Sequence, residues 1–222
     1  MVPEWADLVL LEKERSLVGV YLTSHPLDRY KVEIATLATK DVTFKDLNSN
    51  IEALKGRELT FVGMVTEARE SFGKTGKPYS QITLTDYTES YKCFFFAKDY
   101  VEFGKYCKPG LYLLVKGVVQ NRFGGDQIEF KISRIELMEE VREKYFKSIT
   151  VKIPLSILTG DIISDLERLT LSTKGKSLLR FDIYDLETNM VVNLFSRNTR
   201  IEITDELLAY FEKQEDLVFK IN

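Results

Sequence analysis

Glu58-Leu-Thr-Phe-Val-Gly-Met-Val-Thr-Glu-Ala-Arg69 opens a segment in which apolar residues recur with period two, and the rhythm returns in Tyr79–Asp86 and Tyr91–Phe96. Side chains on a strand alternate between faces, so this period marks strands with one buried side. Ser71-Phe-Gly-Lys-Thr-Gly-Lys-Pro78 separates the first two strands and has the residues of a loop. A short helix over Lys98–Tyr106 ends ahead of Pro109-Gly110. Strands over Leu111–Asn121 and Gln127–Leu137 then flank the Phe123-Gly-Gly-Asp126 turn. Five strands with one helix between the third and fourth is the order of an OB-fold β-barrel.

On either side of this barrel, over residues 57–138, the pattern changes. Residues 1–56 read as a helical segment. Pro3 suits a first helical turn, and Trp5, Leu8, Leu11, Val18 and Leu22 form one stripe. Ser24-His-Pro26 stops that helix, because the residue before a proline is pushed out of the α region. A helix or turn follows through Leu27–Leu37, then a short helix over Thr43–Leu54 ending at Gly56. Such a segment buries little by itself and is expected to pack on the barrel. Residues 139–147 read as a linker. From Ser148 the order is strand Ile149–Ile153, helix Asp161–Leu169, strands Ser177–Tyr184 and Met190–Phe195, a helix capped by Thr204 with Leu207, Leu208 and Phe211 as its buried face, and strand Leu217–Ile221. That β-α-β-β-α-β order describes a small α+β domain over 148–222, so the whole chain is expected to be α+β.

Composition excludes several classes. No apolar run approaches twenty residues, and no charged-then-apolar leader opens the chain, so neither a membrane partner nor a signal peptide is expected and the location is read as cytoplasmic. Cys93 and Cys107 lack histidine partners and are read as reduced structural thiols. The formal net charge is −3. It divides as −2 over residues 1–56 (7 Lys/Arg, 9 Asp/Glu), +2 over 57–138 (12 and 10) and −3 over 139–222 (12 and 15). Only the barrel is net basic. A carboxylate pair able to hold two metal ions, as phosphoryl transfer requires, is not visible. Asp182-Ile-Tyr-Asp185 has the wrong spacing for one strand face, and Asp185 suits a strand end running into a turn. His25 reads as a turn residue rather than a general base, and Thr173-Lys-Gly-Lys176 as a hairpin turn rather than a phosphate loop. The catalytic set and the metal set are both expected to be empty.

Single strands are held by cations for phosphates and flat rings for bases. Alternation puts Ile82, Leu84, Cys93 and Phe95 inside the barrel, leaving Tyr79, Gln81, Thr83, Lys92 and Phe94 outside. The first loop adds Phe72, Lys74 and Lys77, and the hairpin after strand four adds Arg122 and Phe123. Glu67, Glu70 and Asp126 dilute these cations, so weak, salt-dependent contact without base specificity is expected. A barrel end plugged by Phe72 and Phe123, with ordinary turn lysines, is the competing reading. Under it the barrel is a protein-interaction scaffold, and fold alone does not separate the two. An RNA-binding OB module is a third possibility.

Leu11-Glu-Lys-Glu-Arg-Ser-Leu-Val-Gly-Val-Tyr-Leu-Thr-Ser-His-Pro-Leu-Asp-Arg-Tyr30 adds a different kind of information. With Gly73-Lys-Thr-Gly-Lys-Pro78, Leu84-Thr-Asp86 and Phe96-Ala-Lys-Asp-Tyr100, it resembles the region beyond the catalytic core of the bacterial replicative DNA polymerase III alpha subunit. The resemblance implies a noncatalytic C-terminal fragment of a DNA-directed DNA polymerase, a nucleotidyltransferase of DNA replication whose magnesium-dependent chemistry would lie upstream. It implies no cofactor here, an OB-fold that touches single-stranded template DNA, and a C-terminal domain that docks the tau subunit of the clamp loader within the polymerase III holoenzyme. An error-prone alpha-like paralogue fits the same residues. For the docking surface, the last helix and strand, with Leu207, Phe211 and Leu217, are the candidates.

Overall fold

The computed structural model describes residues 24–122, 125–171, 174–214 and 216–222. The helix expected over Pro3–Leu22, most of the Leu11–Tyr30 motif, Phe123 and Thr173 lie outside them. The chain divides into two compact units, one ending at Glu139 and one running from Glu140 to Asn222.

The first unit is a five-stranded antiparallel sheet of order β3-β2-β1-β4-β5, built from β1 (Glu58–Phe72), β2 (Pro78–Thr85), β3 (Ser90–Phe96), β4 (Tyr112–Asn121) and β5 (Ile128–Leu137). The long strand β1 explains how it curls. Its first half, Glu58–Met64, pairs with β4, and its second half, Met64–Phe72, pairs with β2. A register shift between Val65 and Glu67 marks the change of neighbour. A bulge there increases local twist and bends the strand, which rolls the sheet towards a barrel. A second shift, between Lys116 and Gly117, bends β4 against β5. Gly117 is required at that bend, because a Cβ would stand 2.4 Å from the Lys131 carbonyl oxygen.

Inside the curl lie Leu59, Phe61, Val65, Ile82, Leu84, Cys93, Phe95, Leu113, Val115, Phe130 and Ile132. The end strands β3 and β5 meet through side chains. The Tyr91 ring approaches Phe130 edge-on at 6.4 Å, and Lys131 pairs with Asp99. Asp99 belongs to helix α3, which is introduced here with the other helices of the unit: α1 (Lys31–Leu37), α2 (Phe44–Asn50) and α3 (Lys98–Phe103). Helix α2 plugs the barrel. Phe44 is fully buried, 5.0 Å from the Phe61 ring and 5.8 Å from that of Tyr91. Its start is a capping box in which the Thr43 backbone N–H donates to Asp46 Oδ2 at 2.7 Å. The Phe44 N–H donates to Asp86 Oδ2 at 2.8 Å, and Asp86 Oδ1 accepts from the Thr88 and Glu89 amides, so one carboxylate fixes both the plug and the β2–β3 turn.

His25 also has a structural role. Its Nδ1 accepts from the Leu27 N–H at 3.2 Å, Asp28 Oδ2 accepts from the His25 N–H at 2.8 Å, and the two cap a 3-10 turn over Pro26–Tyr30. Tyr87 binds this cap, with its hydroxyl donating to Asp28 at 3.0 Å and its ring 4.5 Å from that of His25. The described end of the Leu11–Tyr30 motif is therefore a clasp on the β2–β3 turn.

A helix α4 (Met138–Tyr145) leads into the second unit. There β6 (Ser148–Pro154), α5 (Gly160–Leu171), β7 (Ser177–Asp185), β8 (Met190–Ile201), α6 (Asp205–Lys213) and β9 (Val218–Ile221) follow the expected order. The sheet order is β8-β7-β6-β9, with β6 and β7 parallel and the other pairs antiparallel. Two expectations are corrected here. The segment containing Lys174-Gly-Lys176 is not a hairpin turn: it returns from α5 to a strand parallel to β6, and a Cβ on Gly175 would stand 2.2 Å from the Ile201 carbonyl. Strand β8 runs to Ile201 rather than Phe195, because Ser196–Arg200 is polar and carries no alternation signal. Asp185 is the turn residue it was expected to be, accepting from the Glu187 N–H at 3.0 Å and the Thr188 hydroxyl at 2.7 Å.

Candidate nucleic-acid interface

Register turns the separate strands of the barrel into one surface. Across β1, β2 and β3, Ser71 lies opposite Tyr79 and Tyr79 opposite Phe96; Arg69 opposite Gln81 and Gln81 opposite Phe94; Glu67 opposite Thr83 and Thr83 opposite Lys92. Directly opposed residues share a face, so these nine form a grid on the outside of the barrel, with Ile82, Leu84, Cys93 and Phe95 on the inside.

Three aromatic side chains run along one edge of this grid. The Tyr79 and Phe96 rings stack at 5.2 Å with 29° between planes, and Phe94 and Phe96 lie at 6.3 Å and 9°. Phe94 and Phe96 are each almost half exposed. Large rings on a strand usually find cover, so a parallel exposed row offers flat apolar area at little ordering cost, because its rings already hold one another. Arg69 and Lys92 stand beside the row, both exposed and in no ion pair among the described residues. Continuing past β3, the surface falls into a cleft of about 540 Å³ between β3 and β5, lined by Lys92, Phe94, Phe96, Arg122, Gln127 and Lys131 among others. Arg122 lies 4.0 Å from Glu129 and is partly neutralised by it.

The structure thus brings Tyr79, Gln81, Lys92, Phe94 and Arg122 to one region. Lys74 and Lys77 sit exposed on the β1–β2 hairpin, whose tip is held by the Gly73 N–H donating to the Lys77 carbonyl at 2.9 Å, with Gly76 at φ +73°. Two expectations change. Phe72, three-quarters exposed, pairs with Pro78 on the opposite pleat from Tyr79, so it does not extend the aromatic row. Thr83 is buried, its hydroxyl facing Glu67 at 3.4 Å, and offers no free contact. Phe96, Arg69 and Lys131 belong to the surface although sequence reasoning passed over them. For Phe96 the signal was available in the alternation of Lys92 and Phe94. Arg69 needed the cross-strand register.

Both cysteines are free thiols. Burial pushes the Cys93 thiol up to about 12, and burial also raises that of Cys107, which donates to the Ser80 hydroxyl at 3.3 Å. Among the described residues, no group of three or more His, Cys, Asp or Glu side chains is placed to hold a metal, and no helix is long and apolar enough to cross a membrane.

Residues 59–138 match the OB-fold nucleic acid binding domain family, and residues 149–222 match the family described as DNA polymerase III alpha subunit, C-terminal domain. The chain is similar to the C-terminal region of the DNA polymerase III alpha subunit. Among alpha subunits, that of Vibrio cholerae is 30% identical over 155 residues, 68% of this chain and 13% of its own length. That of Escherichia coli is 26% identical over 208 residues, 92% of this chain and 17% of its own length, and that of Bacillus subtilis 26% over 173 residues, 77% and 14%. The chain therefore spans 13–17% of the length of these alpha-subunit relatives. Among solved structures, the yeast mitochondrial single-stranded DNA binding protein Rim1 aligns with a TM-score of 0.30 and 16% identity, over 38% of this chain and 95% of that one.

Within residues 149–222, the expected docking residues are overturned. Leu207, Phe211 and Leu217 are buried, at 0%, 1% and 5% exposure. The Phe211 ring packs 5.6 Å from Phe219 of β9. The apolar stripe of α6 is the unit's own core, so none of the three residues is available to a partner.

Proposed function

We propose that this chain is a noncatalytic part of a DNA polymerase III alpha subunit acting in DNA replication, in which the barrel holds single-stranded template DNA weakly and without base preference. The carrying observation is the stacked row Tyr79–Phe96–Phe94, half exposed at Phe94 and Phe96, with Arg69 and Lys92 beside it. Every base has a π-face, so stacking on such a row tolerates any sequence, while the free cations meet the phosphates. Few cations stand on the face and the carboxylate of Glu67 lies among them, which agrees with weak binding that salt abolishes. The second unit is read as a docking domain for the tau subunit of the clamp loader, on the strength of its family match and its acidic balance. Polymerase chemistry and its magnesium ions belong, on this reading, to the remainder of the longer cytoplasmic protein.

Fluorescence anisotropy of labelled oligo-dT across a salt titration tests the barrel assignment. Affinity should fall steeply with salt, and a Lys74→Ala/Lys77→Ala/Phe94→Ala variant should bind more weakly. Absence of binding at low salt by folded protein would leave the barrel as a protein scaffold.

A further inference from the structure

Strand β8 is an end strand of the second sheet, with β7 on one side and no paired strand on the other among the described residues. Natural edge strands are usually guarded by charges, proline or brevity, since their free N–H and C=O groups invite another strand. This edge is twelve residues long. Met190, Val191, Val192, Leu194 and Phe195 are 47–63% exposed, so apolar groups stand on both pleats of its first half. The polar second half is basic. Arg180 lies opposite Phe195 and Arg200 opposite Leu178, on the pleat that also holds Asp182 and Asn193. With Arg197, whose guanidinium sits 5.8 Å from the Phe195 ring centroid, these arginines line an open cleft of about 660 Å³ floored by Leu178, Leu194 and Phe195. Asp182 is the single carboxylate on the lining of that cleft and already accepts from the Asn193 amide at 2.6 Å. None of the three arginines is in an ion pair among the described residues. A cationic cluster beside a bare apolar edge is unexpected in a segment carrying 12 Lys/Arg against 15 Asp/Glu over residues 139–222.

We propose that β8 is a docking edge for an extended segment of a partner protein in which apolar residues alternate with acidic ones. The segment adds a strand to the sheet through main-chain hydrogen bonds; its apolar side chains cover Val192 and Leu194 on one pleat, and its carboxylates, on its other face, meet Arg180, Arg197 and Arg200. Nucleic acid would use the arginines but leave the apolar pleats and the row of unpaired backbone groups exposed, whereas an acidic strand satisfies all three. This inference rests on the reading of the second unit as a protein-docking domain, and gives that domain a surface in place of the buried α6 stripe.

The test uses the full chain, the tau subunit from the same source as probe, and hydrogen exchange with binding titrations. Amides of residues 190–197 should gain protection in the complex. Phe195→Asp/Arg197→Glu, at two exposed positions, should weaken tau binding at least tenfold while leaving circular dichroism and oligo-dT affinity unchanged. If tau binds the variant as tightly and β8 gains no protection, the edge proposal falls while tau docking stands. If wild-type chain does not bind tau at all, both fall. Protection of β8 that instead follows protein concentration without tau would make a second copy the occupant, and loss of oligo-dT binding in the variant would make it nucleic acid; either result overturns the proposal.

Discussion

The two sheets of this chain expose apolar side chains in opposite ways. In the barrel, curvature commits one whole face of five strands to the core, and the exposed rings Phe94 and Phe96, with the partly buried Tyr79, stand in a single row on the other face. In the second sheet, β8 projects apolar groups from both pleats at an open edge. A one-faced row of rings presents π-surfaces to flat ligands. A two-faced edge presents backbone groups flanked by aliphatic cover, which is what another strand needs. Exposed apolar side chains therefore point to different ligands once the geometry is known.

The largest effect that would sharpen this contrast is in the barrel core. Phe44→Ala should cost about 3–5 kcal/mol, the usual range for emptying a large aromatic site. The loss should fall on the barrel, so hydrogen exchange should accelerate in β1–β5 while β6–β9 keep their protection; equal acceleration of both would break the treatment of the sheets as separate units. Next is the aromatic row. Phe94→Ala/Phe96→Ala should weaken oligo-dT binding by at least tenfold, at about 1–3 kcal/mol for each stacked base. Phe195→Ala should leave that affinity unchanged, and an equal loss there would erase the functional distinction.

Gly117→Ala should destabilise the barrel by about 1–3 kcal/mol, since the added methyl meets backbone that cannot retreat without opening the β4–β5 bend. Chemical denaturation would show it as a lower midpoint. The smallest effect concerns pH. The Thr43 hydroxyl and backbone N–H hold the Asp46 carboxyl below the usual carboxylate range. A depressed folded-state value stabilises the fold above the unfolded value and is lost as pH falls through the folded one. The melting temperature of wild type should therefore exceed that of Asp46→Asn near neutrality, and the gap should close below about pH 4, near the free aspartate value. A constant gap would mean that the charge of the cap is immaterial.

Much of the fold was legible. Period two placed all five barrel strands to within a few residues, because burial of one face imposes alternation on the sequence itself. Pro109-Gly110 and the Thr43 and Thr204 caps were readable for a related reason: turn and cap chemistry is local. The candidate site was only half legible. Tyr79, Gln81, Lys92 and Phe94 followed from alternation within single strands, but the neighbour relation of Arg69 to Gln81 and Phe94 did not, since it depends on the shift between Val65 and Glu67. Phe72 was read in the loop, whereas β1 continues through it and sets it on the pleat opposite Tyr79.

The second unit shows the boundary most clearly. Its sequence alone determined that α6 is amphipathic and that β8 begins as an apolar strand, because both are properties of consecutive residues. Whether an apolar stripe serves the molecule or a partner is decided by what lies opposite it in space. Tertiary structure closed β9 over Phe211 and left one edge of β8 without a paired strand among the described residues. Pairing between distant segments, through hydrogen bonds that no local pattern encodes, thus moved the available surface from Leu207, Phe211 and Leu217 to the edge of β8.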